Sequence, residues 1–191
     1  PIEATPNPGV VPGGWLNRNI VGMGLASLFS DWNHEMATAI LPVFLSSVLG
    51  APASALGLIE GVASGVSTLF QIWSGLYSDR IGRRKGLAVA GYFITAVSKA
   101  SFALAGSWWQ VLIGRTAGWI GRAVRSPVRD ALLTESTTPA TVGRAFAFHR
   151  TLDTLGALLG PLTASLLVAH VALRTLFLVS LLPGLCAAAS I

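Results

Sequence analysis

Charge is what this sequence has least of. Only 11% of its 191 residues are Asp, Glu, Lys or Arg, where a soluble domain carries about a quarter, so an ordinary water-soluble globule is excluded. Cysteine is nearly absent: Cys186 stands alone, which rules out a disulfide framework and a cysteine-built metal centre. The stretch 1–14 (PIEATPNPGVVPGG) lacks any apolar run and reads as a flexible N-terminal tail rather than a signal peptide. Acids are scarcer than bases, which leaves a net charge of +5 and a pI near 10.4. Yet the bases gather between apolar runs instead of covering a soluble face, as cytoplasmic loops of membrane proteins do. Nucleic acid is therefore not an expected partner.

What is abundant is apolar sequence. Hydrophobic residues make up 52% of the chain and mean hydropathy is +0.65, enough for several of the ~20-residue segments that cross a bilayer. Six helices are expected, at 17–49, 53–77, 85–105, 108–133, 143–169 and 173–191. The breakers GAPAS (50–54), SDRIGRR (78–84), AGS (105–107) and TESTTPATVG (134–143) separate four of the joints. The fold class is thus an all-α membrane protein, with a six-helix transmembrane bundle over 15–191 after the tail. Arg18, Arg80, Arg83, Arg84, Lys85 and Arg144 fall in the N-terminal segment and the loops after helices 2 and 4, whereas the opposite loops hold only Arg174. That bias predicts a multi-pass protein of the cell (inner) membrane with both termini cytoplasmic. Trp15, Trp108 and Trp109 stand at expected helix ends, where an interfacial belt would place them.

Ionisable residues interrupt the apolar helices: Asp31, His34 and Glu35 in helix 1, Glu60 in helix 2, Lys99 in helix 3, and His149, Arg150 and Asp153 in helix 5. Each is costly in lipid and is expected to face the bundle interior or a water-filled cavity, the pattern of a transport pathway. Helix 4 adds RTAGWIGRAVRSPVRD from 115 to 130. At 100° per residue Arg115, Arg122 and Arg129 drift by only ~20° per heptad, and with Arg125 they share an arc of roughly 80°. Arg115, Arg122 and Arg125, with Glu60, His34 and His149, are the candidate cavity and substrate residues; Arg129, beside Asp130, is expected to form a local pair. Asp31, Glu35 and Asp153 are the candidate proton-coupling acids, since a buried carboxyl can gain and lose a proton in a useful range. Glu60, Ser64, Ser67 and Gln71 trace a narrow polar face on helix 2, although serines also line tight helix contacts. Pro42 is expected to free a backbone carbonyl and bend helix 1.

The loop after helix 2 carries Gly75, Asp79, Arg80, Gly82, Arg83 and Arg84 in the order Gly, three residues, Asp-Arg, one residue, Gly, two bases. It resembles the signature of the major facilitator superfamily, with Tyr77 where Leu is usual. The resemblance implies a gating loop that clamps the two halves in the outward-facing state. Gly156, Gly160 and Pro161 on helix 5 are similar to the core of a motif associated with proton-linked antiporters, although Thr163 and Ala164 replace the glycines that normally follow. The helix 4 arginine of the superfamily maps onto Arg115. The Asp31–Met36 pattern, the Arg-Asp-Ala-Leu at 129–132 and the Gly-Arg-Ala-Phe at 143–146 resemble a largely uncharacterised bacterial subgroup.

Superfamily transporters have twelve helices in two related halves, so the resemblance implies one N-terminal half. Its partner would be a missing C-terminal half or, by homodimerisation, a second copy of the chain. The implied function is secondary active transport of a small polar or anionic solute by alternating access. It is expected to be proton-coupled (antiport or efflux), with the proton gradient as driving force and no cofactor or resident metal. Alternatives are a metal-ion exporter using His34, Glu35, His149 and Asp153, or a non-transporting regulatory half. An enzyme is not expected: Ser64-Gly65 lacks the glycine two residues before it that an intramembrane serine nucleophile would have, because Val62 stands there.

Overall fold

A computed structural model of the chain describes residues 15–78 and 84–191, the side chains at 75–78 and 84 excepted. The expected tail and Asp79, Arg80, Gly82 and Arg83 of the loop signature lie outside the described residues. Gly75 and Arg84 fall near the ends of helices, but their side chains are likewise outside the description. The helices are α1 (Arg18–Val43), α2 (Ala53–Ser78), α3 (Arg84–Ala100), α4 (Trp108–Glu135), α5 (Val142–Leu167) and α6 (Leu173–Ala189). A π-helical turn, Phe44–Val48, follows α1, and a 3₁₀ turn, Ser101–Leu104, follows α3.

Local chemistry accounts for the ends. Asn17 caps α1 by accepting from the Ile20 amide at 3.0 Å, and its amide nitrogen donates to the Ser136 carbonyl at 2.8 Å, tying the start of α1 to the end of α4. Pro42 lies inside α1 and has no amide hydrogen to offer the preceding turn. Instead of a sharp break, the helix widens into the π turn, and the hydroxyls of Ser46 and Ser47 donate to the carbonyls of Pro42 and Val43.

The packing order is α5–α1–α6–α3–α4–α2: each helix rests mainly on its neighbours in that series, while α1 and α5 barely touch α4. Helices α2 and α5 therefore stand at the two ends of an open arrangement, each packed on one side only. Close approach of α1 and α5 depends on two glycines. A methyl group on Gly156 would overlap the Leu28 carbonyl, and one on Gly160 would lie 2.6 Å from the Met36 amide nitrogen.

Two apolar clusters cap a charged middle. Phe44, Phe102, Leu176 and Phe177 centre one, with Phe44 and Phe102 set edge-on to Phe177 at 5.0 and 5.3 Å. Ile20, Met23, Leu133 and Ala145 form the other, at the end bearing the start of α1. Asp31, His34, Arg115, Arg125, His149 and Asp153 are buried between them.

The outer faces are apolar to an extent unusual in water: Leu158, Leu166, Leu69, Ile72, Ile113 and Leu182 are each more than half exposed. Among the described residues, two helical stretches, Ala53–Ser74 and Lys85–Leu104, are long and apolar enough to cross a membrane. The expectation of six such spans is not met on that criterion. The physical reason is that α1, α4 and α5 carry the ionisable residues, and α6 has 17 residues.

Candidate functional site

The site is built on the face of α4 that looks towards α1 and α2. Arg115 is 2% exposed, and its guanidinium ties three helices together. Nη2 pairs with the Glu60 carboxylate of α2 at 2.8 Å, and Nη1 donates to the Thr38 hydroxyl of α1 at 3.0 Å. Two turns along, Arg122 Nη1 pairs with Asp31 of α1 at 2.9 Å and keeps 28% of its side chain exposed. Trp119 lies between the arginines, with each guanidinium 5.9 Å from its ring and the His34 ring edge-on at 5.3 Å.

Buried ion pairs of this kind are poor stabilisers. Their desolvation rivals the attraction, and an apolar pair of similar volume is often as stable or more so. Removing one partner, by contrast, costs about 3–5 kcal/mol. Packing therefore gives no reason for a ladder of arginines and acids inside an otherwise apolar bundle. Charges of this kind within a membrane bundle mark a candidate path for water or a polar solute.

The remaining arginines of the stripe go elsewhere. Arg125, 1% exposed, turns into the α3–α4 contact, with its guanidinium 4.1 Å from the Tyr92 ring. Arg129 donates through Nε and Nη2 to one oxygen of Asp130, at 3.1 and 3.0 Å. A narrow arc on one helix thus meets different neighbours at its two edges, and the structure places Arg125 away from Arg115 and Arg122.

A second group lies where α1 meets α5. Asp31 and Asp153 face each other carboxyl to carboxyl within hydrogen-bond reach. The Ser27 hydroxyl donates to Asp153 at 2.7 Å, and Arg150, almost fully exposed, pairs with it at 3.1 Å. His149, one turn before Asp153, is 4% exposed, and its Nε2 has no hydrogen-bond partner among the described residues. Glu35 is placed apart, with its Cβ against Gly160. Asp31 is therefore shared by both groups: it holds Arg122 and meets Asp153. Among the described residues no three His, Cys, Asp or Glu side chains converge as a metal site would require, so His34, Glu35, His149 and Asp153 are not gathered into one.

Several participants carry no signal that the sequence singled out. Thr38 and Trp119 complete the Arg115 site, and Trp119 could have been found from its place four residues after Arg115 and three before Arg122. On α2 the polar face divides. Ser67 and Ser74 donate to the carbonyls of Trp119 and Ala123, so they hold α2 on α4, while Ser64 and Gln71 remain exposed.

The sequence profile described as Major Facilitator Superfamily matches residues 23–191. The chain belongs to the major facilitator superfamily. It is 35% identical over 152 residues to an uncharacterised MFS-type transporter of Methanocaldococcus jannaschii, covering 80% of this chain and 37% of that protein. It is 30% identical over 152 residues to the inner membrane transport protein YajR of Escherichia coli, covering 77% of this chain and 33% of that one. Among solved structures it is similar in fold to a POT family transporter crystallised with a thioalcohol-conjugated peptide. There the TM-score is 0.80 at 15% identity, over 91% of this chain and 37% of that one. The chain thus spans little more than a third of the relatives it matches. The family is one of membrane transport proteins rather than enzymes, which accounts for the apolar outer faces as surfaces for lipid.

Proposed function

We propose that the chain forms the N-terminal six-helix half of a secondary active transporter that carries a small polar or anionic solute by alternating access, coupled to protons. The observation that carries this reading is the Arg122–Asp31–Asp153 series. It sets a partly exposed cation against an acid, and that acid against a second carboxyl, on the open side of the bundle. Two carboxyls in contact can hold a proton between them, and an anionic group that takes Arg122 changes what Asp31 must pair with. Substrate and proton binding would then be linked through one carboxylate, because an anion on Arg122 leaves Asp31 to be neutralised by a proton, which is a physical basis for coupling. Glu35, placed apart from this series, is the weaker coupling candidate.

The open flanks of α2 and α5 suit a second six-helix half. The remaining length of a chain like the relatives would supply it, and a second copy of this chain would also cover both flanks. The loop at 75–84 is assigned the gate, and the Gly156–Gly160–Pro161 segment supports antiport and efflux. The excess of bases around the starts of α1, α3 and α5 supports a cytoplasmic location for that end in the cell membrane.

The test uses full-length protein in liposomes with an imposed pH gradient and a panel of radiolabelled small carboxylates and lipophilic cations as probes. Gradient-driven movement of a carboxylate that Asp31→Asn abolishes, while solute exchange persists without a gradient, is the expected result. Flux indifferent to the pH gradient would remove proton coupling, and flux of lipophilic cations alone would remove the anionic solute.

A further inference from the structure

At the end of the bundle where α1 and α3 begin and α4 and α6 finish lies a cavity of about 590 Å³, apart from the α1–α2–α4 ladder. Arg18 and Asn19 of α1, Lys85 of α3, Ser136 at the end of α4 and Ala189 of α6 stand around it, and Gly22 and the buried Met23 close it inwards. Its walls are fixed by main chain. A methyl group on Gly22 would stand 2.5 Å from the Ser190 carbonyl oxygen, so α1 and α6 meet backbone to backbone there. The Asn17 side-chain amide holds the start of α1 to the Ser136 carbonyl.

No acid borders the cavity. Arg18 and Lys85 are exposed, and among the described residues neither forms an ion pair. Two helices thus present unpaired bases to one space, with the Asn19 amide and the Ser136 hydroxyl beside them. A guanidinium offers a planar fork of donors and an ammonium a compact point charge, a combination that suits a phosphate with its several oxygens. The space is roomier than a bare phosphate needs.

What accompanies the phosphate is indicated by α6. Leu178, Leu182, Leu185 and Ala189 follow i, i+4, i+7 and i+11, so they share a strip roughly 60° wide. The three leucines are 41–65% exposed, and Ala189 borders the cavity. An apolar strip facing lipid therefore runs down α6 and ends at two bases, matching the two parts of an amphiphile. We propose that this cavity seats the headgroup of an anionic phospholipid, with Arg18 and Lys85 on the phosphate and an acyl chain along the Leu178–Ala189 strip. Basic pockets between transmembrane helices on the cytoplasmic side bind anionic headgroups in this manner. The site stands on the cavity and its charges and does not depend on what the protein transports.

The test reads lipid retention by full-length protein, in which the chain around the cavity is whole. Protein in detergent is titrated with phosphatidylglycerol or phosphatidylcholine, and bound lipid is counted by native mass spectrometry. Phosphatidylglycerol is expected to be retained in preference. Arg18→Gln and Lys85→Gln each weaken its retention about five-fold, whereas Arg18→Lys keeps most of it. Arg144→Gln removes another exposed base at the same end, outside the cavity, and weakens retention less than about two-fold. The replaced side chains are exposed and unpaired, so melting midpoints stay with the parent; should Arg18→Gln fail to fold, Lys85→Gln carries the test from a different helix. Glycerol phosphate, which has the anion without the chains, is expected to compete poorly, and competition equal to that of the lipid removes the α6 strip and with it the lipid assignment. Equal losses for Arg18→Gln, Lys85→Gln and Arg144→Gln reduce the effect to general surface charge and overturn the site. Equal retention of both lipids by the parent overturns it as well, including where the protein's own chain fills the cavity.

Discussion

Replacing Gly156 by alanine drives a methyl group into the backbone carbonyl of Leu28. The obstacle is main chain and not a flexible tip, so the clash is relieved only if α1 and α5 move apart. Overpacking costs typically ~1–3 kcal/mol. Separation also stretches the Ser27–Asp153 hydrogen bond at 2.7 Å and the Trp32–Thr163 hydrogen bond at 3.0 Å, each worth about 1 kcal/mol net. Against this, alanine gains about 1 kcal/mol of intrinsic helix preference over glycine. The balance is a loss on the order of 2–4 kcal/mol, or ~4–16 °C in melting midpoint for a protein of this size. Gly65→Ala on α2 is the control. Nothing lies within 4 Å of the added methyl, so the same helix preference should leave the midpoint unchanged or slightly raised. Thermal unfolding of both variants in detergent, followed by circular dichroism, measures the difference. A Gly156→Ala midpoint equal to or above that of Gly65→Ala would refute close α1–α5 packing, and with it the contact that brings Asp31 to Asp153.

Glu60→Gln leaves the Arg115 guanidinium buried without its anion. It is expected to cost on the order of 3 kcal/mol, while Arg115→Met with Glu60→Met costs much less; chemical denaturation of the two variants shows whether the order holds. Asp79→Asn in the proposed gate is expected to leave expression and melting near those of the parent while reducing solute flux in liposomes, and undiminished flux takes the loop out of the mechanism. Asp153→Asn is expected to mimic Asp31→Asn, losing gradient-driven accumulation but keeping exchange; a variant that still accumulates solute shows that the carboxyl pair is not the coupling site.

Much of the fold was legible because breakers are local signals. Every expected helix is present, and α2, α4, α5 and α6 match closely at both ends, but α1 and α3 stop at Val43 and Ala100, several residues before the expected 49 and 105, where a π turn and a 3₁₀ turn take over; hydropathy does not distinguish those turns from α-helix. The arginine stripe was legible as an arc, but a helical wheel does not say which neighbour lies at each edge. Arg122 meets Asp31 and Arg125 meets Tyr92, although they are only three residues apart. Pairing between helices depends on tertiary order: Glu60 finds Arg115 because α2 packs on α4, a relation that spacing within either helix cannot express. Lys99 was visible as a charge in an apolar run, but that its Nζ finds no hydrogen-bond partner among the described residues is a property of the packed core.

The most direct test of the central claim asks whether the α1–α2–α4 ladder faces water while the α3–α4 outer face meets lipid. In full-length protein with Cys186→Ser, single cysteines replace Thr38 and Ser64 near the Arg115–Glu60 pair, and Val97 and Ile113 on the outer face, where they are 43% and 67% exposed. A membrane-impermeant thiol reagent is applied to intact and to opened membranes. The account predicts that Thr38→Cys and Ser64→Cys label readily from at least one side and that Val97→Cys and Ile113→Cys do not. Labelling of the outer-face cysteines at rates equal to or above those of the ladder would contradict it.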